Sequence, residues 1–191
     1  SQHIPSRPRM RPSLLCAISL FAFSSIASAQ PSAVIVVRHA ERATMPANDP
    51  VLTPAGTARS EALKAALADA GVSAIVTTHL QRTQLTAKPL ADSLGLTITV
   101  VRAGSPLQAH LDSVAATVKR QPSGSVVLVV GHSNTVPGII AALGGPRMPD
   151  LCDSQYASLF ILNMSAAASP RLIRGTFGAP DAPDENCARM M

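Results

Sequence analysis

The chain has 191 residues, 47% of them hydrophobic and 3% aromatic, with no Trp and a single Tyr. That length suits one domain with a sizeable core and excludes two full ones; the core must be built from Val, Leu, Ile and Ala. The lack of aromatics excludes a base-stacking surface for single-stranded nucleic acid, and the net charge of +5 is concentrated at the N-terminus.

Arg7, Arg9 and Arg11 precede an apolar run from Leu14 to Ile26 and the small-residue site Ala27-Ser28-Ala29-Gln30. A basic segment, a short apolar core and an A-x-A end predict a secretory signal peptide over 1–29, with too short an apolar run for a comfortable membrane span. Met10 begins a normal-looking signal, so residues 1–9 read as an upstream extension. Loss of 1–29 removes three Arg and no acid, leaving 13 basic and 11 acidic residues, a charge of +2. That is no nucleic-acid footprint. No second apolar run of membrane length follows. The domain over 30–191 is therefore expected to be periplasmic or secreted, without a stable membrane span; no residue pattern specifies an oligomer. Cys16 leaves with the signal. Cys152 and Cys187 remain, an even pair that predicts a disulfide in an oxidising compartment.

Ala33–Val37 is a short β-branched run that ends at Arg38-His39. Pro46, Asn48, Asp49 and Pro50 make 43–53 a loop. Thr53-Pro54 opens a helix, with Thr as N-cap and Pro at the first helical position, and Gly71 follows its end. Ala74–Thr77 reads as a buried strand. Gln81–Leu94 reads as a helix stopped by Gly95 and interrupted by Pro89. Thr97–Val101 is a third strand, and Pro106–Arg120 a helix with Leu107, Leu111, Val114 and Val118 on one face. Ser125–Val130 is a continuous apolar strand, and Gly131-His132-Ser133-Asn134 turns into a helix through Leu143. Ser158–Asn163 and Arg171–Thr176 complete the strands. Alternating strands and helices predict a single three-layer α/β/α domain with a mostly parallel sheet. Ligands of such sheets bind beyond the carboxyl ends of the strands. Arg38-His39, Thr78-His79 with Arg82, and His132 all fall there. Neutral imidazole is a nucleophile near neutral pH, and the guanidinium fork matches phosphate oxygens without losing its charge.

Val36-Val37-Arg38-His39-Ala40-Glu41, Leu52-Thr53-Pro54-Ala55-Gly56, Thr77 through Ala87 with its Arg82-Thr83 and Thr86-Ala87, and Val130-Gly131-His132-Ser133 resemble, in order, the motifs of the histidine phosphatase (phosphoglycerate mutase-like) superfamily. The resemblance implies a metal-independent, histidine-type acid phosphatase acting on a small phosphorylated substrate without a cofactor. His39 would form a phosphohistidine intermediate. Arg38, Arg42, Arg82, His132 and Asn134 would bind phosphate, with His132 also supporting the transition state. Larger members carry the general acid in an insertion after the second motif, and here only Arg102–Pro106 occupies that place. Glu41, beside the nucleophile, is the first candidate acid, with His110 and Asp112 as others.

His79 lies off the phosphate positions and reads as a rim or structural residue, and His110 as a helix-surface one. Arg102 and Arg147 read equally as surface charges or contacts to a second anionic group. No metal is expected, because ligand spacing such as H-x-x-x-H or C-x-x-C is absent and arginines would repel a cation. Thr135 stands where a serine nucleophile elbow needs Gly, and no phosphate-binding P-loop occurs. Two other functions stay open at this point: a non-catalytic binding module for phosphorylated or anionic ligands, and a phosphomutase.

Overall fold

The computed structural model describes residues 30–164, 169–184 and 187. The signal segment 1–29, with Cys16, lies outside the described residues. Ten elements follow in order: β1 (Ala33–Arg38), α1 (Pro54–Leu67), β2 (Val72–Thr77), α2 (Gln81–Leu94), β3 (Ile98–Val100), α3 (Leu107–Lys119), β4 (Val126–Gly131), α4 (Thr135–Ala142), β5 (Ser158–Asn163) and β6 (Arg171–Thr176). The six strands form one sheet in the order β3-β2-β4-β1-β5-β6. β3, β2, β4 and β1 are parallel, while β5 and β6 extend the β1 edge antiparallel.

The alternation of side chains along the strands assigns the two faces. Val34, Val36, Val76, Val127 and Val129 pack with Leu111, Val114, Val118, Ile139 and Ile140 of α3 and α4. Ile35, Val37, Ile75, Leu128 and Val130 pack with Leu63, Leu67, Ala87 and Leu90 of α1 and α2. Two buried clusters on opposite faces make the three layers. Helix starts and stops follow local chemistry. The Thr53 hydroxyl accepts from Gly56 N–H, Pro54 opens α1, and Gly95 closes α2 in the left-handed conformation. α2 has no cap of its own; the Asp49 carboxylate, in the preceding loop, accepts from Gln81 N–H at 2.8 Å.

Strand register decides where the chemistry gathers. Arg38 pairs with Gly131 across β1 and β4, so His39 and His132 leave neighbouring strands side by side. His39 N–H also donates to Gly131 C=O at 2.9 Å. Thr77 pairs with Val130 across β2 and β4, which brings Thr78 and His79 to the same edge.

Cys152 and Cys187 are disulfide-bonded, with Cα atoms 5.7 Å apart and a separation of 35 in sequence. The bridge joins the tail to the segment before β5. Closing a loop of that length removes roughly 3–4 kcal/mol of denatured-state entropy. Reduction, or Cys187→Ser, is expected to lower stability by up to that amount. Denaturant melts with and without reductant measure it.

Candidate active site

The segment after β1 is pinned from several sides. The Thr86 hydroxyl accepts from Ala40 N–H at 2.9 Å and donates to Arg82 C=O at 2.7 Å. Thr53 N–H donates to Glu41 C=O at 2.9 Å. A Cβ on Gly56 would lie 2.1 Å from that same carbonyl, so only glycine lets α1 approach so closely. Threonines at 53 and 86 and glycine at 56 therefore hold one short segment, which is the physical content of two sequence motifs.

His39 is 3% exposed. Its Nδ1 lies 2.8 Å from Ala40 C=O. A carbonyl only accepts, so Nδ1 carries the proton and Nε2 keeps a free lone pair. His132 stands edge-on, ring centroids 5.3 Å apart. Its Nε2 is 3.1 Å from the Thr78 hydroxyl, which is itself 2.9 Å from that of Thr83. When Thr78 gives its proton to Nε2, His132 Nδ1–H is left as a donor.

Arg38 is almost fully buried, but the expected free fork is not what the structure shows. Its Nη1 donates to the carbonyls of Cys152, Asp153 and Gln155 at 2.7, 3.1 and 3.2 Å. Its guanidinium also lies 4.1 Å over the Tyr156 ring. Its Nη2 donates to the Tyr156 hydroxyl at 3.4 Å, so Arg38 organises the segment 152–156 and Nε is the guanidinium nitrogen left without a partner. Tyr156, whose ring centroid is 6.3 Å from that of His39, was not singled out in the sequence. Being the sole Tyr was the available signal.

Among the described residues, four buried side-chain nitrogens lack a hydrogen-bond partner: Arg38 Nε, Arg82 Nε, His110 Nε2 and His132 Nδ1. Unpaired buried polar groups cost roughly 1–3 kcal/mol each. They also share a neighbourhood. Burial, then Arg82, His110, Arg38 and His79, push His132 down to about 3. Burial first, then His132, Arg38 and Arg82, push His39 down to about 3, against the hydrogen bond to Ala40. Burial disfavours the charge on Arg82, and Arg42 and Arg38 add to it. Crowded cations and unpaired nitrogens in one place suit an oxyanion. Among the described residues, no group of three or more His, Cys, Asp or Glu is placed to hold a metal ion.

Two expectations need correction. Glu41 is not placed as an acid. Arg59 Nε donates to Glu41 Oε1 and Oε2 at 2.9 and 3.0 Å, and Nη2 to Oε1 at 2.7 Å. Burial alone would raise the Glu41 carboxyl, but the Arg59 hydrogen bonds and charge outweigh it and hold it below the usual range. Arg59, unmarked in the sequence, also donates to Phe177 and Ala179 carbonyls at 3.1 and 2.9 Å. His110 is not on the helix surface; it is 5% exposed, because α3 turns that position inward. Asn134, expected to bind phosphate, is exposed at the start of α4 and lines the groove between α3 and α4 with Leu107, Pro137 and Arg147.

The other candidates fall as follows. Arg42 is exposed, its backbone bridged to Leu52, yet near enough to act on both Arg38 and Arg82. His79 is half-buried, with Nδ1 accepting from Ala103 N–H at 3.2 Å. Asp112 is exposed and accepts from Gln108. Arg102 and Arg147 are exposed.

The low values at His39 and His132 carry a stability prediction. Their folded pKa of about 3 lies below the ordinary 6.5, so the unfolded chain binds more protons between those limits. Stability present above pH 6.5 is then lost as pH falls toward 3, at about 1.4 kcal/mol per pH unit for each histidine. Thermal melts from pH 7 to 4 should show a falling midpoint, with a shallower slope in His132→Gln.

Residues 34–103 match the model of the histidine phosphatase superfamily (branch 1). No curated protein matches the chain. Solved structures with the same fold include a mycobacterial glucosyl-3-phosphoglycerate phosphatase complexed with VO3, at 19% identity and TM-score 0.58, over 78% of this chain and 100% of that one. A candidate phosphohistidine phosphatase SixA from Agrobacterium tumefaciens has 21% identity and TM-score 0.56, over 78% and 99%. A candidate alpha-ribazole-5'-P phosphatase from Escherichia coli has 14% identity and TM-score 0.60, over 77% and 96%.

Proposed function

We propose, from the match of residues 34–103 to the histidine phosphatase superfamily (branch 1) together with the site geometry, that the chain is a metal-independent phosphatase that hydrolyses small phosphomonoesters, or phosphohistidine, through a phosphohistidine on His39. The observation that carries this reading is the His39 Nδ1–Ala40 hydrogen bond, which leaves Nε2 unprotonated in a neighbourhood shared with Arg38, Arg82 and His132, each of which carries an unpaired buried nitrogen. Those three nitrogens would take phosphate oxygens, with Arg42 adding charge at the rim. His39 Nε2 would attack phosphorus, and water would then release phosphate. Because burial keeps His39 neutral well into the acidic range, the nucleophile would stay competent at acidic pH for as long as the protein stays folded. The names of the three similar structures include phosphatases acting on a sugar phosphoglycerate, a ribazole phosphate and phosphohistidine, in keeping with this class of substrate. The bridged Cys152–Cys187 pair supports a site of action outside the cytoplasm. Among the described residues no helix is long and apolar enough to cross a membrane.

The test is turnover of p-nitrophenyl phosphate and of a panel of sugar phosphates, nucleotides and phosphopeptides in excess chelator. Labelled phosphate should appear on His39 after rapid quenching. Phosphate binding with neither turnover nor label would turn the reading into that of a binding module.

A further inference from the structure

The reading above leaves unassigned the proton that the leaving oxygen needs. Glu41 is held as an anion by Arg59, and Asp112 is exposed and accepts from Gln108. Among the described residues three imidazoles besides His39 remain, and their hydrogen bonds separate them. His79 Nδ1 accepts from Ala103 N–H, so it cannot take up a second proton without breaking that bond. His132 sits among Arg82 and Arg38, which oppose its imidazolium. His110 Nδ1 lies 3.2 Å from Arg102 C=O. A carbonyl there requires Nδ1–H, and that bond persists in both the neutral ring and the imidazolium. Nε2 is then the atom that gains and loses the proton. It is buried and has no partner.

The backbone brings this ring to the sheet edge. Val101 N–H donates to Thr77 C=O at 2.9 Å. Ala103 N–H binds His79 and Arg102 C=O binds His110. The strand that follows β2 in the sheet thus hands α3 directly to the end of β2, beside Thr78 and His132. His110 is close enough to His132 for its charge to act there. His79 lies on its β2 side and His132 at the start of α4, where Arg82 and Arg38 also act; burial first, and then His79, hold the His110 imidazolium back against the support of the Arg102 carbonyl. An incoming phosphate dianion offsets those cations and favours the imidazolium.

We propose that His110 is the proton carrier of the site, a further catalytic residue; this rests on the phosphatase reading above. In the first step the His39 Nε2–P bond forms and the P–O ester bond breaks. The electron pair stays on the leaving oxygen, which takes the His110 Nε2 proton. In the second step water oxygen bonds to phosphorus, the P–N electron pair returns to His39, and a water proton returns to His110. Ester and water become alcohol and phosphate, and both histidines are restored.

The experiment compares kcat/KM for p-nitrophenyl phosphate, whose phenolate leaves without a proton, with that for an alkyl phosphate, whose alkoxide does not. In His110→Gln, and in His110→Ala as a second variant, the alkyl ester should lose roughly 10²–10³-fold. The aryl ester should lose less than about tenfold by the same reasoning, since its leaving group needs no acid. Phosphate label on His39 should accumulate, because the second step has lost its base. The ratio of the two substrates does not depend on how much variant is folded. Equal losses on both substrates, no loss on either, or a wild type that hydrolyses only the aryl ester overturns the assignment. A wild type that hydrolyses neither, and takes no label, overturns the phosphatase reading itself.

Discussion

His39→Asn is expected to abolish turnover, by about 10⁴-fold or more, while leaving the affinity for inorganic phosphate within a few-fold of wild type. The amide nitrogen of Asn has no available lone pair and cannot hold a phosphoryl group. The donors on Arg38, Arg82 and His132 are on other side chains, and none is hydrogen-bonded to the His39 ring. The variant should fold, because the register of β1 on β4 and the Ala40–Thr86 bond are made by backbone. It should also lose part of the acid sensitivity described above, since one of the two low-pKa histidines is gone. The measurements are kcat/KM on p-nitrophenyl phosphate, calorimetric titration with phosphate, and rapid-quench labelling. Retained turnover would place the nucleophile elsewhere.

Arg59→Met should cost about 3–5 kcal/mol, the scale for removing one partner of a buried ion pair. For a domain of this size that corresponds to roughly 10 °C in Tm. The Arg59 side chain is 4% exposed and that of Glu41 23%, so the carboxylate would be left half-buried without its partner. Two carbonyls of the C-terminal segment, at Phe177 and Ala179, would lose their donor as well. In a Glu41→Gln background the same substitution should cost markedly less, because the stranded charge is absent; the difference is the coupling of the pair. Glu41→Gln alone separates structure from chemistry. It should lower Tm but change kcat by less than about tenfold, whereas a general acid would lose 10²–10⁴-fold. A kcat loss of that larger size would return Glu41 to the reaction.

Much of this arrangement is legible before folding. Continuous Val-rich runs with helical segments between them dictate a covered parallel sheet, because such strands must be buried on both faces. Polar residues at the ends of those runs mark the ligand edge for the same reason. The pairing of Thr53 with Gly56, and of Pro54 with the start of α1, is local and follows from capping geometry. His39 and His132 could therefore be picked out from their positions at strand ends, Arg82 from the start of the helix that follows β2, and Cys152 with Cys187 from their number.

What the chain order does not contain is the partner of each polar atom. Glu41 and Arg59 are 18 residues apart, and Arg38 meets the carbonyls of 152–155 more than a hundred residues away. No period or motif links such pairs, so an acid beside a nucleophile read as catalytic when it is one half of a strut. His110 read as a surface residue because it lies beside, not on, the face of Leu107, Leu111, Val114 and Val118, and only the packing of that helix against β2 and α4 turns it inward. Sequence determined which elements form and which residues stand at their ends. Tertiary structure alone decided which of those residues have their charges and hydrogen bonds satisfied and which are left open for a ligand, because that depends on burial and on contacts across the chain.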